Sequence, residues 1–196
     1  GQLVARTIAH MRAAVRPGMT TGQLDEIGAR FARSHGARSA PQLTYDFPWF
    51  NCLSVNEEIV HGIPGARVLR EGDVVKLDVT LELDGYMADS AVTVIIPPVS
   101  VEARQLQRAA RIAFNSGVAV ARAGQSLREV GRAVESAAKR EGAVVVRELT
   151  GHGIGSLRGS GAGDGTSGAA GRAADRRCTW RASASATSTL PSRAMA

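Results

Sequence analysis

Two aspartates, Asp78 and Asp89, have the residue type and the spacing to bind a divalent cation. They lie in two stretches of alternating polar and apolar residues joined by Asp84-Gly85, a strong signal for a two-residue β-hairpin turn. With those two residues as the loop, Thr80 pairs with Asp89, and the two aspartates become diagonal neighbours on one face. Hard carboxylate oxygens held this close favour a divalent metal, and a pair that can be bridged suits a two-metal site.

The same pairing divides the predicted hairpin into two faces. The apolar face carries Val75, Leu77, Val79, Leu81 and Leu83. The polar face carries Lys76, Asp78, Thr80, Glu82, Met87, Asp89 and Ala91. An antiparallel sheet commonly has one solvated face, so two solvated aspartates are the alternative interpretation. Aspartate is depleted inside strands, however, and two of them on one face favour a bound cation.

Amphipathic helices are predicted on both sides of the hairpin. Apolar residues at helical spacing predict helices over about residues 3–15, 20–36, 100–122 and 126–142. Thr20 with Gln23 three residues later has the pattern of a capping box at the start of the second helix. Ser126 with Glu129 repeats this pattern at the start of the fourth helix, which Gly142 ends.

Residues 40–56 read as irregular, because Pro41 and Pro48 interrupt any regular pattern. Half of the eight aromatic residues of the chain are concentrated in this segment, namely Tyr45, Phe47, Trp49 and Phe50. Such a cluster is consistent with a plug in the core. It is equally consistent with the wall of an apolar side-chain pocket in a ligand site.

Residues 143–149 read as a buried strand that leads into His152, which is flanked by glycines. Glycine on both sides of a histidine lets the backbone bend sharply and exposes the imidazole. A short repeat, LDEIG at 24–28 and LREVG at 127–131, marks the second helix of two similar runs of helix, helix and strand. This repetition predicts a duplicated unit of ~100 residues, with a second hairpin expected after His152.

Residues 156–196 show no such pattern. Of these 41 positions, 33 are Ala, Gly, Ser, Arg or Thr, and none is Glu or Lys. This composition buries too little apolar surface to offset the entropy of ordering the chain. We therefore expect a folded domain over residues 1–155 and a low-complexity tail over residues 156–196, either disordered or the product of a shifted reading frame. The helical pattern already present at Gly1 predicts that the true start of the chain is missing.

The formal charge of +6 is unevenly distributed. Residues 1–155 hold 18 Lys and Arg against 16 Asp and Glu, whereas residues 156–196 hold 6 against 2. The folded part therefore lacks the basic footprint of a nucleic-acid-binding domain. Cys52 and Cys178 make no disulfide framework, no apolar run approaches the ~20 residues of a membrane span, and no signal peptide is visible. These features predict a cytoplasmic protein with no membrane partner and no specific nucleic-acid partner.

Four motifs, in order along the chain, carry a resemblance to a known family. They are SVNEEIVHGIP at 54–64, EGDVVKLDVT at 71–80, DGYMADSAVT at 84–93 and RELTGHGIG at 147–155. In these motifs the chain resembles the methionine aminopeptidases, most of all the bacterial and organellar type I form, over residues 1–155. The resemblance implies an α+β fold of the pita-bread type, in which an antiparallel sheet is surrounded by helices in two pseudo-symmetric halves. The second half is expected to be incomplete here.

The resemblance also implies a metal centre. Asp78, Asp89 and His152 match three metal ligands of the family, and Thr80 matches a position beside the metal-bound water. Two divalent ions, of Co, Mn, Fe or Zn, are expected for the family, but the full site is not encoded in this chain. The family places two glutamate ligands and another histidine beyond the GHGIG motif, but this chain has no Glu after Glu148 and no His after His152, and Gly159 lies where that histidine is expected. The resemblance therefore implies impaired activity.

The resemblance implies a substrate site as well. His61 matches the histidine that contacts the substrate peptide and steadies the tetrahedral intermediate, although a lone histidine is often structural. Phe47 and Cys52 match the pocket for the methionine side chain, with Asp46 where the family has glycine. The implied activity is removal of the initiator methionine from nascent peptides by a monomeric enzyme, with the ribosome as a further partner. A non-catalytic pita-bread protein bound to ribosomes or RNA and an Xaa-Pro aminopeptidase-like enzyme are the alternatives.

Overall fold

The computed structural model describes residues 1–149 and 151–154. The elements are α1 (Gln2–Ala14), α2 (Thr21–Arg33), β1 (Arg38–Ser39), α3 (Ala40–Tyr45), β2 (Cys52–Val55), β3 (Val74–Leu83), β4 (Tyr86–Ile95), α4 (Val101–Val120) and α5 (Leu127–Arg140). The four predicted helices are all present. The predicted tail over 156–196, the second hairpin and Gly159 lie outside the described residues.

The helices begin at the predicted capping residues. The Thr20 side chain accepts a hydrogen bond from the Gln23 amide, and the Gln23 side chain accepts one from the Thr20 amide, so the predicted capping box is confirmed. The side chains of Ser100 and Ser126 likewise accept hydrogen bonds from backbone amides in the first turns of α4 and α5. At Ser126 the hydroxyl accepts from the Arg128 amide at 3.3 Å, one residue earlier than the capping-box pattern predicts.

The sheet is antiparallel and centred on β3, which pairs with β4 on one edge and with both β1 and β2 on the other. The predicted hairpin register is confirmed by the pairs Leu83↔Tyr86, Thr80↔Asp89 and Asp78↔Ala91. Asp84 and Gly85 both have positive φ, at 54° and 86°. This conformation at both loop residues matches the right-handed twist of the strands, which is why the turn closes with only two residues.

The apolar face of β3 forms the centre of the core. Val75, Leu77 and Val79 are fully buried against α1 and α2, as the predicted alternation requires. Leu83 departs from the pattern and is 37% exposed, because it lies at the tip of the hairpin. The polar face is thereby left free to present its side chains to a site.

Glu82 fastens the tip of the hairpin to the rest of the sheet. Its carboxylate accepts a hydrogen bond from Arg38 Nε at 2.6 Å and another from the Gly85 amide at 2.6 Å. The hydrogen bond from Arg38 lowers the pKa of Glu82. The side chain is buried even though it lies on the polar face, because β1 covers it.

The prediction that residues 40–56 are irregular is wrong for two segments. Pro41 lies in the first turn of α3, where its missing N–H is not needed, and the Ser39 hydroxyl accepts a hydrogen bond from Gln42 to cap that helix. The segment Cys52–Val55 forms β2, which pairs with β3 and is buried throughout. Of the aromatic cluster, Phe50 is buried in the core and Tyr45 is exposed. The plug interpretation therefore holds for Phe50 and fails for Tyr45.

The prediction of a buried strand over residues 143–149 is also wrong. This segment is irregular, with a turn at 147–148, and Val144 is 51% exposed. Its β-branched composition favours a strand only when a partner strand and a face to cover are present. Among the strands that the structure describes, none pairs with it.

Helices α4 and α5 pack against each other beside the sheet. Ala113, Ala137 and Ala138 are buried between them, and a Cβ on Gly117 would lie 2.8 Å from Val134 Cγ2. Small residues at this contact allow the close approach of the two helices. Within residues 1–149 and 151–154, no helix is both long enough and apolar enough to cross a membrane.

Candidate active site

Asp78 and Asp89 face each other on the polar side of the hairpin. They are diagonal neighbours on adjacent strands, because Thr80 pairs with Asp89 and Asp78 with Ala91, and Thr80 Oγ1 donates to Asp89 Oδ1 at 3.0 Å. Burial, together with the charge of Asp89, raises the pKa of Asp78 to about 8. Two carboxylates held this close disfavour a second negative charge, so the pair is suited to a cation. Asp89 is 7% exposed, a burial that does not fit two freely solvated aspartates.

His152 approaches this pair from the segment 151–154. Its Nε2 lies 3.7 Å from Asp89 Oδ2, and its side chain is largely exposed. Asp89 therefore contacts both other members of the predicted ligand set. Within the described part of the chain, no three His, Cys, Asp or Glu side chains are grouped closely enough to hold a metal ion. The three-ligand set therefore remains a prediction. The structure places Asp78 next to Asp89, and Asp89 next to His152.

His61 is exposed on the loop that follows β2, and its backbone has φ 55°. The next residue, Gly62, fastens this loop to β2. Its carbonyl accepts from the Leu53 amide at 2.9 Å, and its own amide donates to Ser54 Oγ at 3.0 Å. A Cβ at Gly62 would lie 2.3 Å from the Leu53 carbonyl oxygen. Only glycine permits this approach, so the position of the His61 backbone depends on it.

Cys52 opens β2 and pairs in register with Asp78 on β3. It is buried, and burial, followed by the charges of Asp78 and Asp89, raises the pKa of its thiol to about 12. Such a thiol stays protonated and acts as an apolar wall rather than as a nucleophile. Phe47 is partly buried and follows Asp46, whose φ is 52°. Aspartate is one of the few residues that tolerate this left-handed conformation.

The whole of residues 1–172 matches the metallopeptidase family M24. The chain belongs to this family. Its residues are 39% identical over 156 residues to methionine aminopeptidase 2 of Bacillus subtilis, covering 79% of this chain and 63% of the relative. A methionine aminopeptidase of Staphylococcus epidermidis is 38% identical, again over 79% of this chain and 62% of the relative. The M24 chain therefore spans about three-fifths of the length of these relatives.

Solved structures confirm the predicted α+β pita-bread fold. The methionine aminopeptidase of Rickettsia prowazekii matches with a TM-score of 0.74 and 37% identity, over 78% of this chain and 61% of that one. The methionine aminopeptidase of Thermotoga maritima matches with a TM-score of 0.76 and 28% identity, over 79% and 63%. The prolidase of Pyrococcus furiosus, at 15% identity, covers 79% of this chain and 44% of its own with a TM-score of 0.69. That last likeness shows the fold alone.

Two residues of α2 that the sequence did not single out hold the loops around the site of this M24 chain. Thr21 Oγ1 accepts from the Gly65 amide at 2.9 Å, which anchors the end of the His61 loop. Asp25, which is buried, accepts from the backbone just before β2. The sequence offers one signal for Asp25: it is a carboxylate inside the apolar stripe of an amphipathic helix. A carboxylate buried there requires a hydrogen-bond partner.

A groove of about 400 Å³ lies between the hairpin and α4. It is lined by Asp78 and Lys76 from β3, by Arg111 and Phe114 from α4, and by Arg12 from α1, among others. Among the residues that the structure describes, Asp78 is the one predicted site residue on its surface. Burial lowers the pKa of Lys76. The groove therefore gives solvent and ligands access to one of the two candidate metal carboxylates.

Replacing Gly62 with Ala in this M24 chain is expected to destabilise the fold. The added Cβ would meet the Leu53 carbonyl at 2.3 Å, so either the loop or β2 must shift and the two hydrogen bonds of Gly62 are lost. Losses of about 1–3 kcal/mol per buried group are expected in the free energy of unfolding, measured by urea titration. Gly65→Ala is the matched control, because a Cβ there meets nothing within 4 Å. Equal stability of the two variants would contradict this role for Gly62.

Proposed function

We propose that this chain acts as a metalloaminopeptidase that removes the N-terminal methionine from nascent polypeptides. The observation that carries the proposal is the pair of neighbouring carboxylates, partly buried Asp78 and buried Asp89, with His152 Nε2 at 3.7 Å from Asp89 Oδ2. The names of the relatives in Bacillus subtilis and Staphylococcus epidermidis support the choice of methionine. Family membership supports the dependence on a metal.

The residues present fit a divalent cation. Two carboxylates on one face of the hairpin offer hard oxygen ligands, and burial and the neighbouring charge of Asp89 raise the pKa of Asp78. A divalent ion held by Asp78 and Asp89 would compete with the proton that the raised pKa of Asp78 favours. When bound, it supplies a Lewis acid for the peptide carbonyl and for water. We propose two ions, of Co, Mn, Fe or Zn, with His152 as a third protein ligand.

The remaining residues of the site take roles that follow from their positions. Thr80 holds the Asp89 carboxylate by a hydrogen bond at 3.0 Å and so limits its rotation. We propose that His61 donates a hydrogen bond to the peptide carbonyl oxygen, where negative charge develops during attack. Phe47 and Cys52 would contact the methionine side chain. The protonated state of the Cys52 thiol suits this contact, because a thiolate would lose its hydration against an apolar side chain.

We further propose that the chain works in the cytoplasm as a monomer on nascent peptides, close to the ribosome. No observation favours the Xaa-Pro alternative, since the structural likeness to prolidases is below 25% identity and concerns the fold. A purely binding protein would have no need to keep two aspartates paired in mid-strand, because their mutual repulsion destabilises the fold.

Hydrolysis of a Met-Ala-Ser peptide tests the proposed function. With Mn(II) or Co(II) present, we expect release of methionine below the ordinary turnover of about 1–10³ s⁻¹, because counterparts of the two family glutamates are absent after Glu148. Asp78→Asn should abolish this release. Asp73→Asn is the matched control. It removes a carboxylate just before the same hairpin, and that carboxylate accepts hydrogen bonds from the Arg70 backbone amide and the Asn56 side chain instead.

Two outcomes would contradict the proposal. One is release of methionine that is unaffected by Asp78→Asn, which would separate the activity from the carboxylate pair. The other is preferential cleavage of an Ala-Pro peptide over Met-Ala-Ser, which would support the Xaa-Pro alternative.

A further inference from the structure

Asp25 is a carboxylate on α2 that binds the chain immediately before β2. It is 2% exposed. Its Oδ2 accepts from the Phe50 amide at 3.0 Å, and its Oδ1 accepts from the Asn51 amide and from Asn51 Nδ2, both at 2.7 Å. Because α2 is packed in the core, three bonds to one side chain fix the backbone at residues 50–51 relative to that helix.

The backbone that Asp25 holds leads directly into the candidate pocket. Cys52 follows Asn51 and lies opposite Asp78 in the strand register. Gly28, on the next turn of α2, packs closely against Met11 and Asn51, because a Cβ there would lie 2.4 Å from Met11 Sδ and 3.1 Å from Asn51 Nδ2. A shift at residues 50–51 would therefore move Cys52 with respect to the carboxylate pair.

We propose that Asp25 is a positioning residue for the pocket wall formed by Cys52. Phe50 and Asn51 present two buried backbone N–H groups side by side, and a carboxylate is the side chain that offers a separate oxygen to each. Asparagine in its place has one acceptor oxygen and would turn its NH₂ towards the second N–H. The proposal rests on the proposed function only for the identification of this wall as part of a methionine pocket.

The chemistry of Asp25 supports a specific task. Burial, partly opposed by the hydrogen bonds from Phe50 and Asn51, raises the pKa of the carboxyl. An ionisable side chain is thus placed where the core disfavours its charge. An apolar residue at this position of α2 would pack without that cost but would leave both N–H groups unpaired. The cost of burying a charge is therefore offset by the hydrogen bonds to the two N–H groups only if residues 50–51 must be held in this place.

The rate at which iodoacetamide alkylates Cys52 reports on this wall without any requirement for activity. The Cys178→Ser background leaves Cys52 as the one thiol of the chain. Asp25→Asn should accelerate alkylation by about 10-fold or more, because the wall opens locally when its anchor is lost. Asp73→Asn is the matched control, as another buried aspartate that accepts from one backbone amide and one asparagine amide without contacting the wall.

Comparison at equal stability separates positioning from general destabilisation. Urea is added until the variants have the same free energy of unfolding, and the alkylation rates are then compared. A faster rate for Asp25→Asn than for Asp73→Asn supports the proposal, and equal rates overturn it. Asn51→Ala, which keeps both backbone bonds to Asp25, should give a smaller acceleration than Asp25→Asn.

Two further measurements keep the test decisive. If Asp25→Asn does not fold, hydrogen exchange of the unaltered chain replaces the alkylation test. The Phe50 and Asn51 amides should then exchange as slowly as those in the centre of β3, and fast exchange overturns the proposal.

Protection of Cys52 from alkylation by free L-methionine tests the pocket itself. If protection is absent while the variant rates differ, the proposed function fails at the pocket and the positioning role of Asp25 stands.

Discussion

Asp78→Asn is expected to reduce the affinity of the protein for Mn(II) or Co(II) by at least about 100-fold. Loss of residues that merely support metal ligands costs about 10–100-fold, and Asp78 is proposed to be a ligand itself. The same substitution should stabilise the metal-free protein above pH 8, because it removes a buried charge next to Asp89. Calorimetric metal titration and urea unfolding at pH 8.5 measure the two effects.

Asp73→Asn again serves as the control for Asp78→Asn. Glu82, on the same face as Asp78, is unsuitable because its carboxylate holds Arg38 and the hairpin turn. Asp73→Asn should retain metal affinity and should not gain stability at pH 8.5. If the two variants lose metal affinity equally, or if Asp78→Asn destabilises the metal-free protein, the assignment of Asp78 is wrong.

The metal-free protein is expected to lose stability as the pH rises from about 4 to about 8. Asp78 has an ordinary pKa of 3.8 when unfolded and about 8 when folded, so the folded state binds more protons throughout this window. The free energy of unfolding therefore falls with pH, by a total on the order of a few kcal/mol, and levels off above pH 8. The raised pKa of Asp25 acts in the same direction.

Urea unfolding of metal-stripped protein at intervals of pH measures this trend. Asp78→Asn should flatten the profile, because the titrating group is gone. Adding Mn(II) should reverse the trend, since a cation and a proton compete for the same carboxylates and the proton is lost as the pH rises. A stability that rises steadily from pH 5 to pH 8 without metal would contradict the burial of Asp78.

The register of the hairpin could be predicted from the sequence, because its information is local; the exposure of Leu83 and the burial of Glu82 could not. Asp84-Gly85 sets the loop length, and period-two alternation then sets which residue faces which. The partners Thr80↔Asp89 and Asp78↔Ala91 follow without knowledge of any other element. The start of α2 was predicted equally well, because the capping residue Thr20 acts on an amide only three residues away.

The errors concern segments whose structure is decided by distant partners. The Cys52–Val55 strand is four residues long and exists because β3 offers it an edge. Residues 143–149 have the composition of a strand but no pairing edge among the described strands. In the site, the contact of Asp78 with Asp89 followed from the hairpin register. The role of Asp25 did not, because its partners at residues 50 and 51 lie outside α2.

The two-residue turn at Asp84-Gly85 also has a kinetic consequence. Asp78 and Asp89 are joined by a short stretch of chain, and hairpins of this kind form within about 1–10 μs. The pairing of Cys52 with Asp78 must instead close 26 residues of chain (78 − 52), and each such closure adds to the entropic barrier. The carboxylate pair is thus expected to assemble early in folding, before the strand that carries Cys52 docks beside it. A divalent ion present during synthesis would then meet its two oxygen ligands while the pocket wall is still open.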